Sequence, residues 1–160
     1  MIGWENFFIA EVGASAALAG LIFVGVSINL TRILSLPGLP NRALLALIIL
    51  LAILVVCSLL LVPRQTVMLV GIEVLVVGLV IWIAATILDM TILQKKDPHY
   101  RSHYVLNMAL TQFAVLPYVV AGIFVITRGA DGLYWLVPAI VISFIKAILD
   151  AWVLLVEINR

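Results

Sequence analysis

Five long apolar stretches, separated by short breaks with polar residues, proline or glycine, constrain the fold of this chain more than any other feature. Each stretch has the roughly 20 mainly apolar residues that a helix needs to cross a bilayer. No break is long enough to fold by itself. The sequence therefore predicts an all-α fold, a polytopic membrane helix bundle with one transmembrane domain over residues 1–160. The five predicted transmembrane helices cover, approximately, residues 7–30, 43–62, 67–88, 104–127 and 133–158.

The composition agrees with a membrane location. Of the 160 residues, 66% are hydrophobic and 11% are charged, whereas a soluble domain carries about 25% charged residues. A soluble domain of this size leaves much of its surface in water and could not hide so much apolar surface. The formal net charge is +1, so no basic or acidic excess indicates a nucleic-acid partner. The lipid bilayer is the expected partner.

The distribution of lysine and arginine between the two sets of loops predicts the orientation. The amino tail and the breaks at 63–66 and 128–132 contain only Arg64 and Arg128. The opposite side has six cationic residues, which are Arg32, Arg42, Lys95, Lys96, Arg101 and Arg160. Because positive residues favour the cytoplasmic side, we expect an outside amino terminus and a cytoplasmic carboxyl terminus.

Motifs that would indicate an enzyme or a cofactor do not occur in the sequence, which has no nucleophile elbow, phosphate loop, dinucleotide fingerprint or zinc signature. The single cysteine, Cys57, cannot form an internal disulfide. His99 and His103 are four residues apart, which suits a metal ion, but no third ligand is evident. We therefore expect no catalytic residue, no cofactor and no metal site.

The first predicted helix carries a stripe of small residues along one face. Such stripes let two helices approach closely in lipid, where packing replaces the hydrophobic effect as the driving force. We expect this helix to be central, packed on a neighbouring helix or on another copy of the chain. The proposed packing residues are Gly13, Ala16, Ala17, Gly20 and Ser27.

The second predicted helix is the opposite case. Between residues 43 and 62 it carries no charge, and Ser58 is its only residue with a hydroxyl group. We therefore expect this helix to face lipid.

Polar residues on the fourth and fifth predicted helices form the first candidate ion pathway. Lys146 and Asp150 are four residues apart and share one face of their helix, near the bilayer midplane. A lone charge there costs at least about 2.5–3.5 kcal/mol, and pairing offsets part of that cost. On the preceding helix, Asn107 and Thr111 share a face, with Gln112 beside it. A structural ion pair and an ion or substrate site are both compatible with this pattern.

Glu11 and Glu73 form the second candidate group, because both enter the membrane from the predicted outer side. Nothing close in sequence satisfies Glu73, which is surrounded by aliphatic residues. Two neighbouring carboxyl groups could share a proton or hold a cation. Repeated around an oligomer, they would form an acidic ring that selects cations. The alternative is that both reach lipid headgroups or hydrogen-bond across the bundle as neutral acids.

The segment from Trp4 to Leu36 carries a longer pattern. Trp4-Glu-Asn-Phe-Phe precedes Gly-Ala-Ser-Ala-Ala-Leu-Ala-Gly at 13–20, Leu-Ile-Phe-Val at 21–24 and Ser-Ile-Asn-Leu at 27–30. It resembles small bacterial multi-pass membrane proteins of uncharacterised function, typically written W-x-x-F-F, G-A-x-A-A-L-x-G-L-x-F-V and S-x-N-L, and sometimes labelled modulators of a membrane-bound AAA protease. The resemblance extends to the remaining chain only through hydropathy. It implies a bacterial inner (plasma) membrane location and a first helix, with Ser27 and Asn29, as the signature element. It implies no catalytic residue.

From these features we expect a small homo-oligomeric membrane protein that forms a permeation pathway for a cation or a proton. Five helices in a chain of 17.5 kDa, one of them wholly apolar, enclose little space alone, whereas several copies could line a pore. The alternative is an accessory or regulatory subunit that binds another membrane protein and transports nothing itself. A third possibility, a monomeric carrier of a small solute, requires a cavity between the fourth and fifth helices.

Overall fold

The computed structural model describes residues 3–36, 38–94 and 101–158, and these residues form helices joined by short turns. The helices are α1 (Glu5–Ile28), α2 (Leu30–Ser35), α3 (Leu39–Leu60), α4 (Val67–Gln94), α5 (Arg101–Arg128), a 3₁₀ segment (Gly129–Trp135) and α6 (Leu136–Ile158). Some residues used above to predict the orientation or to consider a metal site lie outside the described part. They are Lys95, Lys96, His99 and Arg160, together with the side chains of Arg101 and His103.

Four helical segments among the described residues are long and apolar enough to cross a membrane. Three are α1, α3 and most of α4, and the fourth is the run Val105–Glu157, which has 53 residues. As one straight helix this run would be roughly 80 Å long, against a hydrocarbon core of about 30 Å. The 3₁₀ segment instead turns the chain, so that α5 and α6 pack side by side. The all-helical, membrane-compatible fold predicted from the sequence is thus confirmed.

Local sequence explains where the helices begin and end. Asn29 interrupts the first apolar stretch, because its side-chain amide donates to the carbonyl oxygen of Gly25 at 3.1 Å and its backbone leaves the helical region. Gly38 has a φ of 90°, a left-handed conformation that favours glycine. Pro40 follows in the first turn of α3, where a missing N–H costs no helical hydrogen bond.

The helix at the centre of the bundle is α3, which packs against α1, α4 and α6. Of its most apolar 18-residue window, 56% of the residues are buried, compared with 11% for α1. The prediction that this helix faces lipid is therefore wrong. The expected central position of the first helix is also wrong within the protomer. The physical reason is that lipid tails are as apolar as a protein core, so an all-apolar helix is equally compatible with either environment.

Two glycines reveal a close approach between α4 and α5. A Cβ atom built on Gly122 would lie 2.6 Å from the Leu75 backbone nitrogen, and one on Gly78 would lie 3.1 Å from that of Val119. Only a residue without a side chain lets the two backbones come this near. Small-residue packing thus occurs in this fold, but on helices other than the one that the sequence pattern singled out.

Candidate functional site

The polar face of α6 turns into the bundle, where it holds an ion pair between Lys146 and Asp150. The Lys146 Nζ donates to the Asp150 Oδ2, and the two residues are only 2% and 1% exposed. Ser143 and Ala147 on the same face are also buried, whereas Ile145 and neighbouring large residues on the opposite face are exposed. This face therefore determines the rotation of α6 in the bundle, because ionised side chains are stabilised by partners in the bundle interior and destabilised by contact with lipid.

A third charged residue, Asp89 of α4, lies beside this pair. Asp89 is 4% exposed and stands within electrostatic reach of Lys146 and Asp150. The Thr111 side chain lies close to the Asp89 carboxyl group. The Oδ2 atom of Asp89 has no hydrogen-bond partner among the residues that the structure describes. A buried carboxyl oxygen without a partner is unusual in a native fold and requires an explanation.

Sequence reasoning missed Asp89 because it was assigned to the polar break at 89–103. In the structure, α4 continues to Gln94, and Asp89 extends the buried face formed by Ile81, Ala85 and Ile92. Those residues recur at steps of four and three, which is the helical period. That spacing was visible in the sequence and could have placed Asp89 inside the bundle.

The fourth charged residue of the group is Arg42, which is half-buried near the start of α3 and lies within electrostatic reach of Asp89. We call Asp89, Lys146, Asp150 and Arg42 the inner charge cluster. The cluster joins three long helices and lies toward the predicted cytoplasmic side. Its formal charges sum to zero when every member is ionised. Such balance reduces the cost of placing charges at membrane depth.

Thr111 is fully buried and connects the inner charge cluster to α5. Its hydroxyl donates to the carbonyl oxygen of Asn107 at 3.1 Å. A hydroxyl has a single proton, so in this arrangement only its oxygen lone pairs remain for Asp89. The Asn107 side chain itself is half-buried on the same helix. Of the candidate residues on α5, Thr111 is therefore the one that lies beside the cluster.

Buried polar groups continue from the cluster toward the predicted outer side. The Tyr118 hydroxyl donates to Ser143 Oγ at 3.2 Å, and Ser143 Oγ donates to the Ala114 carbonyl oxygen at 3.3 Å. Ser143 precedes Lys146 by three residues on one face of α6. Tyr118 in turn lies within electrostatic reach of Glu11. We call the whole set the interior polar series, which comprises the half-buried Glu11 with the buried Tyr118, Ser143 and Thr111 and the inner charge cluster.

The second candidate pair, Glu11 and Glu73, consists of two residues with different surroundings. Glu11 lies on α1 near the buried Cys57 of α3. Glu73 accepts a hydrogen bond from the Gln65 side-chain amide at 2.8 Å, so the expectation that nothing local satisfies it is wrong. The partner was missed because it lies in the turn before α4, eight residues away, and reaches Glu73 only once that turn folds back. No hydrogen bond joins the two carboxyl groups in the described part of the chain.

Gln112 belongs to a separate network between α4 and α5. Its side-chain oxygen accepts from the Trp82 indole N–H at 2.6 Å, and its amide donates to Thr86 Oγ1 at 3.1 Å. Thr86 donates to the Trp82 carbonyl oxygen at 2.7 Å. Each of these side chains has a hydrogen-bond partner within the network. Gln112 therefore links α4 to α5 and does not belong to the interior polar series.

The small residues of α1 point away from the bundle. Gly13, Ala16, Ala17, Gly20 and Ser27 are all exposed. A Cβ atom built on Gly13 or Gly20 would meet nothing within 4 Å, and Ser27 Oγ bonds back to its own helix. The helix docks through its other face, with Phe8 and Ser15 buried against the bundle. Within the protomer, the predicted packing stripe is therefore unoccupied surface, because bulky residues on the opposite face make the contacts with α3.

The space next to Lys146 is small. It measures about 30 Å³ and is lined by Leu110, Ile142, Ile145, Lys146 and Leu149. A space of this size is on the scale of water molecules rather than of an organic solute. Among the described residues, no three histidine, cysteine, aspartate or glutamate side chains are grouped to hold a metal ion.

Comparison of the chain with family models, with curated proteins and with solved structures finds no match. The resemblance of residues 4–36 to small bacterial membrane proteins stays a prediction.

Proposed function

We propose that this chain is an integral membrane protein that moves an ion, a proton or a small cation, across the bilayer through the interior of each protomer. The observation that supports this most is the interior polar series, which runs through the middle of an otherwise apolar bundle. Buried ionisable groups at membrane depth are expensive and commonly mark ion pathways or proton relays. The series links helices from every part of the bundle, which a single structural ion pair does not require.

The proposal includes five membrane crossings, with the amino terminus outside and the carboxyl terminus in the cytoplasm of a bacterial inner membrane. The α5 helix has 28 residues and α6 has 23. At the helical rise these lengths are roughly 42 Å and 35 Å, so each helix can cross a hydrocarbon core of about 30 Å. An odd number of crossings then places the termini on opposite sides.

Burial favours a pathway inside the protomer over a pore on a symmetry axis. An axial pore would need its charges on a surface shared between copies, whereas Lys146 and Asp150 are almost fully covered by their own chain. The space of about 30 Å³ beside Lys146 also argues against a carrier of organic solutes, because it is on the scale of water molecules. An ion that moves between fixed polar groups needs no larger cavity.

The test is ion flux into liposomes that contain the purified protein, with proton, potassium and sodium gradients imposed separately. The informative variant combines Lys146→Gln with Asp150→Asn, which removes both charges and keeps two groups able to hydrogen-bond. Glu5→Gln is the matched control, because Glu5 is exposed at the start of α1 and lies outside the interior polar series. We expect the double variant to lose most of the flux and the control to retain it.

A second measurement separates a protomer pathway from an axial pore. Wild-type and double-variant chains are mixed before reconstitution, and flux is plotted against the variant fraction. With one pathway in each protomer, flux falls in proportion to that fraction; with a shared pore, a single variant copy impairs the whole assembly and the decrease is steeper. If the folded double variant conducts as well as the wild type, the proposal is wrong.

The exposed small-residue face of α1 favours a second candidate, the accessory subunit that binds another membrane protein. This face has open space at Gly13 and Gly20, so another helix could approach closely there. The test is purification from the native membrane with and without Gly13→Leu and Gly20→Leu, which should leave the bundle intact. A stoichiometric partner that is lost only in the variant supports this role, and particle mass in nanodiscs shows whether the partner is another copy.

A further inference from the structure

We propose that the ion held at the inner charge cluster is a proton and that Asp89 is the group that binds it. Lys146 is paired with Asp150 and also hydrogen-bonds to Asp89 whenever the proton has left. This inference rests on the proposed function and specifies the ion and its binding residue.

The hydrogen-bonding surroundings of Asp89 suit a protonated acid. An ionised carboxylate only accepts hydrogen bonds, whereas a protonated one also donates one. The Thr111 hydroxyl donates to the Asn107 carbonyl oxygen, so in this arrangement its oxygen lone pairs are what it can offer to Asp89. The Oδ2 atom of Asp89 has no donor among the described residues. Asp89 in its protonated form can therefore be satisfied by Thr111, and in its ionised form it needs a further donor.

Lys146 lies within electrostatic reach of Asp89 while its ion pair is with Asp150, so its side chain must shift to supply that donor. An ammonium group has three N–H donors, and its ion pair with Asp150 accounts for one of them. The charged groups that face Asp89 are Lys146 and Asp150 from α6 and Arg42 from α3, while Thr111 faces it from α5. With Asp89 protonated, the cluster has a formal charge of +1; with Asp89 ionised, the sum is zero. The proton and Lys146 therefore compete for the Asp89 carboxyl group. The net charge of the cluster stays between zero and +1 whether Asp89 is protonated or ionised.

The chemistry of the cluster disfavours a metal cation. Lys146 and Arg42 already bring two positive charges, which would repel a third. Metal ions such as Ca²⁺ and Mg²⁺ need about six oxygen ligands, and no group of three carboxylate, histidine or thiolate side chains converges in the described part of the bundle. A proton needs one oxygen atom and almost no space.

The step balances with water as the proton acceptor. The O–H bond of the Asp89 carboxylic acid breaks, its electron pair stays on the carboxylate oxygen, and the proton passes to a water molecule at the predicted cytoplasmic end. Asp89 lies five residues before the end of α4, which is roughly 7.5 Å at the helical rise. The Lys146 ammonium then hydrogen-bonds to the new carboxylate, until a proton that arrives from the predicted outer side replaces this hydrogen bond and restores the carboxylic acid.

The experiment is infrared difference spectroscopy of the full chain in nanodiscs during a pH titration, because a protonated carboxylic acid has a carbonyl band that a carboxylate lacks. We expect one such band to titrate in the wild type and to be missing from Asp89→Asn. It should persist in Asp150→Asn and in the control Glu5→Gln. A titrating band that survives Asp89→Asn and disappears from Asp150→Asn places the proton on Asp150 and overturns the inference.

Thr111→Val keeps the inference testable if Asp89→Asn does not fold. Valine has nearly the same shape as threonine and no acceptor oxygen, so the Asp89 carbonyl band should shift because its hydrogen bond is lost. An unchanged band shows that the protonated carboxyl group is not Asp89 and contradicts the proposal.

Flux measurements distinguish this inference from the proposed function. Proton flux should fall roughly a hundredfold or more in Asp89→Asn, the range that a positioned proton-transfer group contributes. Flux of potassium or sodium without a proton component, combined with a band unaffected by Asp89→Asn, overturns the inference and leaves ion conduction standing. A normal Asp89 titration in a protein that conducts no ion instead overturns conduction and leaves Asp89 as a proton-binding site.

Discussion

Lys146 and Asp150 lie one turn apart on α6 and form an ion pair that the rest of the protomer covers almost completely. The pair faces α3 and α5 rather than the lipid surface, where the same helix displays large apolar residues. Its position makes it both the strongest determinant of how α6 is oriented and the centre of the inner charge cluster. The predictions below concern this pair, the contacts between α4 and α5, and the membrane topology.

Breaking the ion pair should destabilise the protein more than removing it. Lys146→Met leaves Asp150 buried and uncompensated, which typically costs about 3–5 kcal/mol. The combination of Lys146→Met with Asp150→Leu removes both charges and should cost less than the single change. The measurement is unfolding of the purified protein in detergent at fixed pH. A double variant that costs the sum of Lys146→Met and Asp150→Leu measured singly would show that the two charges are not coupled.

The glycine contacts between α4 and α5 should tolerate no side chain. Gly122→Ala places a methyl group 2.6 Å from the Leu75 backbone nitrogen, so the helices must move apart. Overpacking of this kind costs typically about 1–3 kcal/mol. Gly13→Ala is the matched control, since nothing lies within 4 Å of its Cβ position, and it should cost nothing. The check is the thermal midpoint of both variants, and a stable Gly122→Ala protein would contradict the packing.

The hydrogen bond between Gln112 and the Trp82 indole should contribute measurable coupling between α4 and α5. Such bonds in membrane proteins average about 0.6 kcal/mol, with a maximum of about 1.7 kcal/mol. Gln112→Leu should therefore cost less in a Trp82→Phe background than in the wild type. A double-mutant cycle on unfolding free energies measures this difference. Identical costs in the two backgrounds would mean that the 2.6 Å contact stabilises nothing.

The proposed topology predicts which positions an impermeant maleimide can reach in intact cells. Cysteines introduced at Glu5, Arg64 and Asp131, all of them exposed, should react from outside. A cysteine at Ser35, the exposed last residue of α2, should react only after permeabilisation. The wild type is the control, because its buried Cys57 should stay unlabelled. If Asp131→Cys is protected while Glu5→Cys reacts, α5 and α6 do not each cross the membrane.

Several parts of the fold could be predicted because they depend on local sequence. The apolar stretches predicted helices close to the observed ones: Glu5–Ile28 and Leu136–Ile158 differ from the predicted 7–30 and 133–158 by at most three residues at each end, whereas α4 runs six residues past the predicted end at 88. The inward face of α6 was also predictable. A helix with Lys146 and Asp150 on one side has only one orientation that keeps those charges out of lipid.

Other parts of the site required the tertiary structure. The partner of Glu73 is decided by how the turn before α4 folds back, which places Gln65 within 2.8 Å. The role of Asp89 depends on α4 extending past the expected helix end and meeting α5 and α6. The close approach of Gly122 to Leu75 likewise exists only between two packed helices. None of these contacts follows from spacing along a single segment.

The sequence by itself determined that the chain is helical, apolar enough for a membrane, and polar along one face of its last helix. Only the tertiary structure decided that α3 lies at the centre, that the small face of α1 is exposed, and that Asp89 joins Lys146 and Asp150. The physical reason is that lipid and a bundle interior are both apolar, so hydropathy cannot tell a buried helix from a lipid-facing one. Charges do distinguish the two, because at membrane depth each must find a partner or remain in a costly environment.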